Sequence, residues 1–168
     1  MDREQSAVMV RMMLVRPLSR RTFVFFGLIA GLLVYFYSGS GLHSDDYANL
    51  MVSHGWSFGD WLTLYRANPT YLYYLPSLYF DFAQFLLFGY NQVFYDLAKA
   101  AISLFGIFSA WLFAKQYIES GRALVFALLF ILYPLHDATN YWFIGTYMTM
   151  TGAWVMLSHA LVNRGYAK

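Results

Sequence analysis

TFVFFGLIAGLLVYFYSGSGL, residues 22–42, runs for 21 residues without a charge and follows five arginines, Arg3, Arg11, Arg16, Arg20 and Arg21. A helix rises about 1.5 Å per residue, so about 20 apolar residues cross the roughly 30 Å of bilayer hydrocarbon. The run is long enough, and its flank carries the cations that favour the cytoplasmic side. The small residues Ser38, Gly39 and Ser40 also suit a signal peptidase. The run therefore reads as a cleavable signal or as an uncleaved anchor, and the anchor is the expectation.

The whole chain of 168 residues shares this character. It is 60% hydrophobic and 12% charged, with 16 Phe, 15 Tyr and 5 Trp. A water-soluble domain has about 25% charged residues and about half apolar ones, and a globule of this length cannot hide so many apolar side chains from water. The bilayer is the expected solvent. The composition excludes disorder and nucleic acid as a partner, and the absence of cysteine excludes a disulfide-stapled scaffold.

Four further stretches, 71–88, 93–113, 123–135 and 142–162, compete to be spans, and the distribution of Lys and Arg chooses among them. If all four cross, six Lys/Arg lie inside and five outside, which is no bias. If 71–88 rests on or dips into the outer leaflet, nine lie inside, leaving only Arg66 and Lys99 outside. The acids then sort the other way, with Asp45, Asp46, Asp60, Asp81, Asp96 and Asp137 outside and Asp2, Glu4 and Glu119 inside. The expected fold is an all-α polytopic membrane protein of about four transmembrane helices with external juxtamembrane amphipathic helices. Its parts are a cytoplasmic Arg-rich N-terminus (1–21), spans at 22–42, 93–117, 122–135 and 142–162, an external loop (43–92) and a cytoplasmic tail (163–168).

The demoted stretch fits an interfacial helix. Pro76 interrupts it early, and Ser77, Asp81 and Gln84 form one polar stripe among Leu, Phe and Tyr; a helix packed on a polar groove would carry the same stripe. The third span is short at about 20 Å. The sequence His136-Asp137-Ala138-Thr139-Asn140 after it is therefore expected below the outer surface, where a polar loop must line a cavity or be buried in protein.

Candidate chemistry gathers on the external side. Asp45 and Asp46 open a helix-like pattern that Ser44 can cap. Acids in a first turn are ordinarily structural, but a pair directly above a span can also act as base and metal ligand. Asp137 and His136, with Thr139 and Asn140, offer hard ligands and an imidazole for Mg²⁺ or Mn²⁺, or else Asp137 caps the last span. Lys99 and Asp96, at i and i+3, either pair with each other or leave Lys99, like Arg66, for a lipid phosphate. His54 and His159 are read as ordinary hydrogen-bonded side chains.

In order, these features resemble the N-terminal part of GT-C glycosyltransferases, the membrane enzymes that use polyprenyl-phosphate-linked sugars. The resemblance is carried by the arginine-flanked first span, Asp45-Asp46, and the proline-aromatic stretch Asn68-Pro69-Thr70-Tyr71-Leu72-Tyr73-Tyr74. It continues through the Phe88-Gly89-Tyr90-Asn91 break, a long span ending in Lys115, the turn Glu119-Ser120-Gly121-Arg122, and a short span closing in Tyr133-Pro134. It covers roughly residues 20 to 165.

The resemblance implies that Asp45 or Asp46 is the base that activates the acceptor, and that Asp137 contributes to a metal or substrate site. It further implies polyprenyl-phosphate sugar and membrane lipid as partners, and residence in the cytoplasmic (inner) membrane of a bacterium. The chain departs from the family where an arginine usually precedes the span after the Phe-Gly break. Asp96 stands there, with Lys99 one turn deeper. It also departs in length, since members have more than twice as many spans. A non-catalytic subunit of a larger membrane complex, or an oligomer, is the competing expectation.

Overall fold

A computed structural model describes residues 20–40, 55–67, 75–132 and 146–166. These residues form six helices and no strand: α1 (Arg20–Tyr37), α2 (Phe58–Ala67), α3 (Leu75–Phe88), α4 (Gln92–Ala114), α5 (Ser120–Leu132) and α6 (Thr146–Tyr166). The all-helical expectation holds among the described residues. The structure of the acid pair Asp45-Asp46 and of the His136-Asp137 loop lies outside them.

α4 is the axis of the fold, with α1, α5 and α6 packed along it, α3 meeting it more briefly and α2 resting on α3. Small residues explain the arrangement. Buried Ala100, Ser103, Gly106, Ala110 and Ala114 recur on α4 at helical spacing. They are answered by fully buried Ala123 and Ala127 on α5 and by Ala153 and Ala160 on α6. Small side chains let helix backbones approach closely, which is how helices associate where lipid removes the hydrophobic drive. α1 contributes larger groups: Phe26 sets its ring edge-on to Phe108 and Trp111, with centroids 5.6 and 5.4 Å away.

Away from α4 the surface is apolar. On α1, Phe23, Leu28, Leu32 and Tyr35 are between 62% and 82% exposed. Two helices, α1 with 18 residues and α4 with 23, are long and apolar enough to cross a membrane. α5 is apolar, but its 13 residues reach only about 20 Å. α6 has 21 residues and carries Thr146, Thr149, Thr151, Ser158, His159 and Asn163 along its length.

The break between α3 and α4 follows from two residues. Gly89 takes φ +52°, a left-handed conformation that suits glycine, and ends α3 with its N–H on the Phe85 carbonyl at 3.0 Å. Asn91 then caps α4 by accepting the Val93 N–H at 3.2 Å. The fully buried Tyr95 fixes the turn, its hydroxyl donating to the Gly89 carbonyl at 2.6 Å.

The last turn of α3 faces the opposite way from that of a water-facing amphipathic helix. Gln84 is buried while Leu86 and Leu87 are each 73% exposed. In this last turn the polar residue points into the protein and the leucines point out.

Candidate functional site at the C-terminal end of the first helix

The first helix stops because Gly39 adopts φ +79°, ending the helical ladder as a left-handed glycine does at a C-terminus. This frees the Gly39 N–H, which donates to Asp96 Oδ2 at 3.0 Å. The next residue reinforces the contact, Ser40 Oγ donating to Asp96 Oδ1 at 3.0 Å. Lys99 Nζ donates in turn to Ser40 Oγ at 3.2 Å and stands 3.9 Å from Asp96 Oδ1. One turn further along α4, Ser103 Oγ shares a hydrogen bond of 2.9 Å with the Tyr37 hydroxyl.

Asp96, Lys99 and Ser103 fall three and four residues apart, so they form one polar stripe on an otherwise apolar helix. The stripe is deep: Lys99 is 1% exposed, Ser103 2% and Tyr37 1%. Charged side chains inside a spanning helix are costly, and they persist where they face the protein and pair with one another. Here the carboxylate, the hydroxyls and the ammonium satisfy each other, and together they tie the end of α1 to α4 across 56 to 66 residues of sequence.

Of the two readings of Lys99, the structure contains the pairing with Asp96. Its ammonium is turned onto Ser40 and Asp96, while Arg66, in the last turn of α2, is exposed. Tyr37 and Ser103 were not singled out in the sequence, and no pairing role was given to Gly39 and Ser40. The available signal was the continuation of the 96, 99 spacing to 103, and the small-residue end of the first span was read for peptidase cleavage instead.

A second unusual group is Gln84. It is 6% exposed, and neither its amide oxygen nor its nitrogen has a hydrogen-bond partner among the described residues. A buried, unsatisfied carboxamide costs free energy and calls for an explanation.

On α2, Asp60 accepts from both the N–H and the hydroxyl of Ser57, each at 2.7 Å, and its own N–H reaches Ser57 Oγ at 3.3 Å. This reciprocal cap starts the helix, and the Ser57 bonds hold the Asp60 carboxyl below its ordinary range. At the other end of α4, Tyr117 bonds His159 Nε2 at 2.6 Å, and Asn163 Nδ2 lies 2.8 Å from the same nitrogen. His159 is thus a hydrogen-bonded side chain, as read from the sequence.

Among the described residues no group of three or more His, Asp or Glu is placed to hold a metal ion; the expected ligands His136 and Asp137 lie outside them. The chain matches no protein-family model, no curated protein and no solved structure.

Proposed function

We propose that the chain is a membrane glycosyltransferase module that transfers a sugar from a polyprenyl-phosphate donor to an acceptor on the external face of a bacterial inner membrane. In this reading α1, α4, α5 and α6 make the four crossings, and both termini are cytoplasmic. Asp45 or Asp46 takes the proton of the acceptor hydroxyl or amide as it attacks the anomeric carbon. The new bond forms at that carbon while its bond to the phosphate oxygen breaks, and polyprenyl phosphate leaves with the electron pair. Arg66, exposed, is the cation assigned to the lipid phosphate, while Lys99, also expected there, is turned onto Ser40 and Asp96. Asp137 and His136 would hold a Mg²⁺ or Mn²⁺ ion.

One observation supports this reading above the others. The Gly39–Ser40 clamp on Asp96 and Lys99 anchors the chain five residues before Asp45, so the acid pair leaves from a fixed point at the outer end of α4. Gln84, whose carboxamide is buried with no hydrogen-bond partner among the described residues, fits a polar groove on that side.

The test compares Asp45→Asn, Asp46→Asn and Asp137→Asn, each checked for normal insertion and then for glycan transfer in cells. Removing a catalytic base is expected to lower transfer by about 100-fold or more with insertion intact. Full activity in all three variants would defeat the catalytic reading.

The bare apolar side of α1 and the buried amide of Gln84, without a partner among the described residues, also favour a second reading, a non-catalytic subunit or oligomer whose partner helices cover these groups. Gentle extraction and mass measurement of the intact particle test it. A partner or a second copy is expected; a single 19.5 kDa chain with lipid alone would count against it.

A further inference from the structure

The start of α1 presents a different kind of surface. Arg20, Arg21, Val24, Phe25 and Leu28 border a shallow, widely open hollow of about 390 Å³. Both arginines are exposed, and neither pairs with a carboxylate among the described residues, where the ion pair is that of Lys99 with Asp96. The lining of the hollow itself is almost wholly apolar, with Val24 50% and Leu28 66% exposed, and the guanidinium groups lie at its border. Phe25 is steadied by edge-on contact with Phe26 at 5.5 Å, and Phe26 is itself held against Phe108 and Trp111.

We propose that this hollow binds an acidic glycerophospholipid, its phosphate between Arg20 and Arg21 and the upper part of an acyl chain along Val24, Phe25 and Leu28. The argument is one of complementary chemistry. Guanidinium groups bind phosphate oxygens through paired N–H donors, and two of them with no acidic partner among the described residues leave a local positive charge. Seven residues separate Arg21 from Leu28, about 10 Å along a helix. The cation and the apolar surface are therefore stacked in the order of a headgroup and its chain. A free phosphate ion would use the arginines and leave the apolar lining bare; a zwitterionic lipid would use the lining and bring no net charge. Arg3, Arg11 and Arg16 upstream add to a basic cluster of the kind that attracts acidic lipids next to a span. The proposal rests on α1 entering the membrane and is independent of any glycosyl transfer.

The full-length protein is extracted in mixed micelles of phosphatidylglycerol and phosphatidylcholine in equal parts, and the lipids it retains are counted by native mass spectrometry. The wild type is expected to keep phosphatidylglycerol in preference to phosphatidylcholine, and to keep it when millimolar inorganic phosphate is added. The Arg20→Gln/Arg21→Gln variant should lose the preference by about fivefold for each cation removed, a factor corresponding to about 1 kcal/mol per basic residue at an acidic surface. Arg122→Gln, which removes an exposed arginine from the first turn of α5, should keep it.

Because the glutamine variant can also disturb insertion, Arg20→Lys/Arg21→Lys is measured beside it. This variant retains the charge and loses the paired donors, so its preference should fall between the other two. Equal retention of the two lipids by the wild type, or an unchanged preference in the lysine variant, would overturn the proposal. Displacement of the lipid by inorganic phosphate would show a phosphate site and overturn it as well.

Discussion

Lys99 shows how much of this chain turns on single side chains. An ammonium that is 1% exposed is tolerable because Asp96 and Ser40 compensate it. Asp96→Asn removes the carboxylate and leaves the buried cation without its ion-pair partner, a change that destabilises by about 3 to 5 kcal/mol where it has been measured. The double variant Asp96→Asn/Lys99→Met takes away both charges and should recover most of that loss. Denaturation of the purified protein in mixed micelles checks both, and equal stability of the two variants would count against a compensated pair. Asp60 offers a gentler case. Its carboxyl is held low by Ser57, so its contribution to the cap is present above the ordinary carboxylate pKa and is lost as pH falls through the lowered value. Ser57→Ala should return the Asp60 carboxyl toward the ordinary value of 3.8, read from its side-chain carbon shift in an NMR titration. Asp96 and Lys99 could be paired from sequence because i and i+3 share a helix face. Their other partners, Gly39 and Ser40, lie 56 or more residues away, and no local pattern announces a contact of that range.

Among the elements, α4 decides the packing and its small residues decide the spacing. Ala127 on α5 is fully buried, so Ala127→Leu inserts a side chain where two helix backbones meet and should cost about 1 to 3 kcal/mol. The same insertion at Gly121, exposed and with open space around the position of a Cβ, should cost less; comparing the two by thermal melting separates packing from helix propensity. Several element boundaries were legible. The Phe88-Gly89-Tyr90-Asn91 break and the turn at Glu119-Ser120 correspond to helix ends, whereas the expected first span, 22–42, stops at Tyr37 because Gly39 takes a positive φ. The expected second span, 93–117, finishes instead at Ala114, with Lys115 capping it. The least legible feature was the facing of α3. Periodicity grouped Ser77, Asp81 and Gln84 on one side, but it could not say whether that side met water or protein, because both give the same stripe. Burial of Gln84 beside exposed Leu86 and Leu87 decides that residue.

For the whole molecule, α1 and α4 meet through a clamp that joins the end of one to the start of the other. That geometry makes them antiparallel neighbours, and it agrees with a charge distribution that puts the arginines before α1 and Lys115 after α4 on the same side. The clamp would then sit at the external end of both helices, where the proposed acid pair emerges. All of this depends on both helices crossing the bilayer in opposite directions. The native chain has no cysteine, so single cysteines introduced at Thr63 and at Glu119 can be probed in intact cells with an impermeant thiol reagent. The account predicts that position 63 is labelled from outside and that position 119 is labelled only after the membrane is opened. Labelling of position 119 in intact cells would contradict it.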